Sequence, residues 1–63
     1  MPTKVRDMIR ALEADGWRWE RTRGSHRVYS HPTKSGIVVV PGKLVKDLPL
    51  GTERSILRQA GLR

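Results

Sequence analysis

Trp17-Arg18-Trp19-Glu20-Arg21-Thr22-Arg23-Gly24-Ser25-His26-Arg27-Val28-Tyr29-Ser30-His31 is the stretch on which the fold turns. From Trp17 the pattern has period two: Trp17, Trp19 and Arg21 alternate with Arg18, Glu20 and Thr22, as residues on the two faces of a β-strand do. This predicts a strand with an aromatic face. Arg23-Gly24-Ser25 reads as a tight turn in which Gly24 is free to take positive φ. His26 to His31 forms a second extended run with Val28 and Tyr29 inside it, so the two runs make a hairpin.

Upstream of the hairpin, Val5, Met8, Ile9 and Leu12 recur at the i, i+3, i+4, i+7 spacing of one helix face, between Thr3 and Asp15. Thr3 is placed to cap the first turn with its hydroxyl, Asp7 lies near the positive end of the dipole, and Gly16 supplies a left-handed stop. Downstream, Pro32-Thr33-Lys34-Ser35-Gly36 is a second turn cluster, and Ile37-Val38-Val39-Val40 is a β-branched run read as a third, well-covered strand. Pro41-Gly42-Lys43 ends the sheet. The irregular stretch to Leu50 is expected to be an exposed loop whose leucines tuck under the last element. That element is a helix starting around Pro49 or Thr52 and running to Ala60, with Ile56, Leu57 and Ala60 on one face, Gly61 as its stop and Leu62 closing the end. The whole predicts one α+β domain over residues 1–63, ordered α-β-β-β-α. Both helices cover one face of a three-stranded antiparallel sheet, and the other face is left to solvent or a ligand.

A chain of 63 residues is small, and such domains often need disulfides, a metal or a partner to reach useful stability. With no cysteine, a disulfide framework and a thiolate metal site are excluded. No apolar run approaches the ~20 residues of a membrane span, and the expected compartment is the cytoplasm. Thirteen Lys and Arg against six Asp and Glu leave a net charge of +7, which favours a polyanionic partner. Residues 1–16 are charge-balanced, whereas 17–40 carry Arg18, Arg21, Arg23, Arg27 and Lys34 against Glu20 alone, and Lys43 and Lys46 follow. Membrane-surface binding would want a cationic amphipathic helix, and the first helix is charge-balanced.

Arg21-Thr22-Arg23-Gly24-Ser25-His26-Arg27 concentrates three arginines, a turn glycine, a hydroxyl and an imidazole in seven residues. Guanidinium forks bind phosphate oxygens bidentately, glycine permits close backbone approach, and free turn N–H groups can cradle an anion. Arg21, Arg23, Gly24, Ser25, Arg27, Lys34 and Lys43 are therefore the candidate RNA-binding residues, and His26 the candidate catalytic one. Histidine changes charge near neutral pH, and beside a ribose 2′-hydroxyl or a leaving 5′-oxygen it can act as general base or acid. RNA carries its own nucleophile, so neither metal nor cofactor is required, and the products would be a 2′,3′-cyclic phosphate and a 5′-hydroxyl. Against this, a lone histidine at a strand start is commonly a surface residue, and a charge run commonly a solvated face. Ser25 is read as a turn residue, no carboxylate is placed to complete a Ser–His triad, and His26 and His31 fall on opposite strand faces, which argues against a shared metal. His31 is read as structural, and Trp17, Trp19 and Tyr29 as core.

The opening helix ending Glu13-Ala14-Asp15-Gly16-Trp17, the stretch Arg21 to Arg27, His31-Pro32, Pro49-Leu50-Gly51-Thr52 and Ser55-Ile56-Leu57-Arg58-Gln59-Ala60-Gly61-Leu62 occur in order and at this length. With them the chain resembles the HicA toxins of type II toxin–antitoxin systems along nearly its whole length. The resemblance implies a fold like the double-stranded-RNA-binding domain, cleavage of messenger RNA, a catalytic histidine at the Gly-Ser-His position, here His26, and a HicB-type antitoxin that covers the active surface. Glu53 departs from the pattern, since similar sequences often carry an apolar residue there. A non-catalytic basic module that grips RNA by shape and phosphate contacts is the alternative reading. A DNA-binding or ribosome-associated role is a third, without a helix-turn-helix signature to support it.

Overall fold

The apolar spacing of Val5, Met8, Ile9 and Leu12 produces helix α1 (Val5–Ala14), which buries Val5, Met8 and Leu12 and partly buries Ile9. A computed structural model describes residues 3–62, so residues 1, 2 and 63 of the single-domain reading lie outside the described residues. The remaining elements are β1 (Arg18–Arg23), β2 (His26–Ser30), β3 (Val38–Val40) and α2 (Leu50–Gln59). The three strands form one antiparallel sheet in the order β1-β2-β3. The α-β-β-β-α order and the α+β class are those expected from the sequence. No described helix is long and apolar enough to cross a membrane.

Both helices stop as their glycines require. Gly16 N–H bonds to the Glu13 carbonyl and Trp17 N–H to that of Leu12, while Gly61 N–H bonds to Arg58 and Leu62 N–H to Leu57. This pairing satisfies carbonyls that the last helical turn would leave open. The start of α1 is built differently from the expectation. Its N-cap is Lys4, and no side chain caps it. The Thr3 hydroxyl instead donates to the Glu53 carboxylate on α2, which gives that acidic residue a local partner. The first donors of α1 are met by main-chain carbonyls of the segment after β3, Val5 N–H to Lys46 and Arg6 N–H to Leu44. Leu48 N–H returns a bond to the Thr3 carbonyl. The expected loose loop is therefore docked on α1 by its main chain, and of its leucines only Leu48 is buried, in the core cluster that includes Ile56 and Ala60, whereas Leu44 and Val45 are exposed.

The core joins Val5, Met8 and Leu12 of α1 to Trp17, Tyr29, Val38, Val40, Leu48, Ile56 and Ala60. Both helices thus send their apolar residues to the sheet face that carries Tyr29, Val38 and Val40. Trp17 lies ahead of β1 and is buried, but Trp19 is 57% exposed, so of the three aromatics expected in the core only Trp17 and Tyr29 are there. Ile37 likewise falls outside β3 and is exposed.

A polar knot closes the domain where no disulfide can. His31 Nδ1 accepts the main-chain N–H groups of Thr33 and Lys34, each at 3.1 Å, which assigns the proton to Nε2. Nε2–H then donates to the Asp15 carbonyl at 2.7 Å, and the ring stands edge-on to Trp17. Lys34 Nζ bridges the Asp15 carboxylate at 2.6 Å and the Ala60 carbonyl at 2.9 Å, a cation placed at the negative end of α2. The hydrogen bond from Lys34, aided by its charge, holds the Asp15 carboxyl below its usual range, opposed by partial desolvation.

Gly16 is indispensable to this knot, because its φ is +101° and a Cβ there would lie 2.8 Å from His31 Nε2. Gly16→Ala is expected to lower unfolding free energy in urea by at least the ~1–2 kcal/mol that left-handed backbone costs an L-residue. Because the Asp15 pKa is depressed in the folded state, its contribution is complete at neutral pH. It is lost as pH falls below the unfolded value of about 4. Thermal melts taken from pH 6 downward should show that loss, and Lys34→Met should remove that part of the acid dependence.

Candidate functional site

Gly24 and Ser25 join β1 to β2 as a two-residue turn, with Arg23 and His26 as the strand residues it closes. Gly24 has a φ of +62° and Ser25 a negative φ, the signs of a type II′ hairpin turn. The turn fixes His26 as the first residue of β2, directly opposite Arg23, and its side chain is exposed.

Side chains that face one another across an antiparallel pair share a sheet face. His26 pairs with Arg23, Val28 with Arg21, and Ser30 with Arg18, while Tyr29 pairs with Trp19 and Arg27 with Thr22. The register slips between Trp19 and Arg21, leaving Glu20 as an extra residue in a β-bulge. Simple alternation placed Arg18 opposite in sense to Arg21. The bulge corrects this by bringing Arg18, Arg21 and Arg23 to the open face with His26. Across the bulge the Trp19 indole N–H donates to Thr22 Oγ1 at 2.9 Å, a contact that regular alternation over three residues would forbid. All three arginines are exposed. Glu20 is the one acidic residue of β1, and it contacts Arg21 at 3.3 Å in a solvent-exposed pair.

The other predicted ligands divide. Arg27 lies on the helix-side face, and its Nη1 donates to the Gly42 carbonyl at 2.9 Å, tying β2 to the turn after β3. Lys34 is engaged with Asp15 and Ala60 in the knot, so the structure does not gather it with His26. Lys43 is exposed in the segment after β3, and Gly24 and Ser25 are exposed at the hairpin tip. Tyr29 is no second acid–base partner for His26: it sits in the core on the opposite face, and burial raises its phenol pKa, with Glu13 adding to the effect and Arg27 opposing it. Among the described residues, no three His, Asp or Glu side chains gather as a metal site would.

Beside His26 the open face deepens into a concavity of about 430 Å³. His26, Val39 and Pro41 line its sheet side, and Gly51, Thr52, Ser55, Ile56 and Gln59 of α2 line the other. Sequence reading missed this wall. Its one trace is that Thr52, Ser55 and Gln59 repeat at i, i+3 and i+7, an uncharged polar stripe next to the apolar one.

These features define a small basic α+β domain with a cation-lined open sheet face and an exposed imidazole at one end of it. Residues 5–62 match the family model of the HicA toxin of bacterial toxin–antitoxin systems. The chain belongs to that family, and is the toxin member of a toxin–antitoxin pair. Comparison with individual curated proteins gave no match.

The two groups of cations should separate in stability measurements. Arg27→Ala is expected to cost about 1 kcal/mol through the lost hydrogen bond, and Lys34→Met to lower the urea midpoint measurably. Arg21→Ala and Arg23→Ala should stay within about 0.5 kcal/mol of the parent, as exposed substitutions do.

Proposed function

We propose that this toxin is a metal-independent endoribonuclease that cleaves messenger RNA, with His26 moving the proton and Arg18, Arg21 and Arg23 holding the phosphodiester. The observation that carries the reading is the exposed imidazole directly opposite Arg23, on the face that also presents Arg18 and Arg21. The ribose 2′-oxygen attacks the adjacent phosphorus while the bond from phosphorus to the 5′-oxygen breaks. His26 takes the 2′-hydroxyl proton or supplies one to the departing 5′-oxygen, and the guanidinium groups stabilise the charge that builds on the non-bridging oxygens. Lys43, Gly24 and Ser25 border the same end of the sheet and extend the phosphate-binding surface. Arg27 and Lys34 act indirectly, by holding the strand and loops that present it.

A toxin of this family works against an antitoxin, and a HicB-type protein that covers His26 and the arginine face is the partner proposed here. The compartment is the cytoplasm, where messenger RNA and such a partner meet. The basic face would also serve a module that only binds RNA, and the two readings part at His26.

His26→Ala should reduce cleavage of a defined transcript by about 10²–10⁴-fold and relieve growth inhibition on induced expression, with RNA affinity little changed. Removing Arg18, Arg21 or Arg23 should instead weaken binding and lower the slope of log affinity against log salt by roughly 0.7–1 per residue. Cleavage should persist in a strong chelator. A His26→Ala protein that cleaves like its parent, or activity that disappears on chelation and returns with magnesium, would rule the mechanism out.

A further inference from the structure

We propose that the concavity between β3 and α2 is a subsite for one unpaired nucleobase of the RNA, lying next to the phosphate that His26 serves. This rests on the ribonuclease reading and adds to it where the substrate's base goes. The concavity shares His26 with the arginine face, so a chain whose phosphate meets Arg21 and Arg23 has its neighbouring sugar and base at this opening.

The lining selects the ligand. Apart from His26 it carries no ionisable side chain, although the domain has a net charge of +7. A phosphate would be drawn to the arginines; a neutral, flat group is what the concavity suits. Val39 and Pro41 offer an apolar surface to the face of a ring, to which Ile56, buried in the core, adds little. Thr52, Ser55 and Gln59 offer hydroxyl and amide groups to its edge, and none of these side chains makes a hydrogen bond within the chain among the described residues. Gln59 presents a donor and an acceptor side by side, the pairing that reads base edges. The rim is open at Gly51, where even an added Cβ would meet nothing within 4 Å. The volume, about 430 Å³, falls among those of small-ligand clefts.

A base can enter such a site only when it is splayed out of a helix, as sequence-specific recognition of RNA generally requires. The substrate at this position is therefore single-stranded, and the sheet face and the concavity divide the work between backbone and base.

The test is a binding cycle on the whole chain, using a short single-stranded RNA whose scissile nucleotide is 2′-deoxy, so that it binds without being cut. Abasic nucleotides are introduced one position at a time, and affinity is read by fluorescence polarisation for the parent, Ser55→Leu and Gln59→Leu. Thermal melts establish that each variant is folded. One abasic position is expected to weaken parent binding by about tenfold. The same position should cost Ser55→Leu almost nothing, because its pocket is already filled, while its salt dependence stays that of the parent. Gln59→Leu should change which base is preferred there. Equal abasic penalties in all three proteins would overturn the subsite. If those penalties are equal while the parent still cuts RNA through His26, the subsite alone falls. If the cycle is non-additive while no RNA is cut, the subsite stands and the ribonuclease reading falls. Absence of any RNA binding overturns both.

Discussion

The His31 ring is the constraint around which the domain closes. Its two nitrogens have fixed and different duties, Nδ1 accepting from the chain after β2 and Nε2–H donating to the end of α1. That one ring joins the helix to the strand connection across Gly16, whose missing side chain leaves room for it. Lys34 extends the junction to the last turn of α2. In a chain of 63 residues without cysteine, such a junction takes the place that a covalent crosslink would hold in many domains of this size. It ties the ends of both helices to the chain after β2, and the sheet has one face covered by those helices and one open.

The two histidines consequently have opposite circumstances. His31 is surrounded by main-chain partners and the edge of Trp17, with its tautomer set by three hydrogen bonds. His26 stands at the hairpin exit, exposed, with an arginine opposite. A ring held as tightly as His31 can position a backbone but is poorly placed to exchange protons with a substrate. The freedom of His26 is what general acid–base chemistry requires.

Much of this was legible from periodicity and punctuation. The α1 stripe, the stops at Gly16 and Gly61, the Gly24-Ser25 turn and the order of elements all follow from local rules that tertiary contacts here reinforce. The errors have a common physical cause, which is that the deciding partner lay far away in sequence. Thr3 had the chemistry of a cap, yet Glu53 stood closer to its hydroxyl, and carbonyls of Leu44 and Lys46 took over the helix start. Lys34, expected among the RNA-binding residues, is held by Asp15 and Ala60, contacts that no local pattern discloses. The bulge at Glu20 has no signature in residue type, and it alone decides that Arg18 joins Arg21 and Arg23. The α2 wall of the concavity exists only because that helix lies against β3, which a helical pattern read in isolation does not disclose.

The distribution of carboxylates completes the electrostatic argument. Asp47 contacts Lys4, Asp15 contacts Lys34, and Glu53 accepts from Thr3, each serving to hold segments together away from the arginine face. Glu20 alone sits within β1, and its exposed contact with Arg21 is of the weak, salt-screened kind. Three of the six carboxylates thus hold segments together, and Arg18, Arg21 and Arg23 stand at the open face with Glu20 as the one acidic residue of their strand, while Arg6, Arg10, Arg54 and Arg58 are exposed on the helices. On the proposed reading, the face that carries His26 is the one that receives the polyanion. Apart from His26, the lining of the adjoining concavity holds no ionisable side chain. A charged surface and a neutral one therefore meet at a single imidazole, and the proposed holding of the backbone and reading of the base fall on different elements.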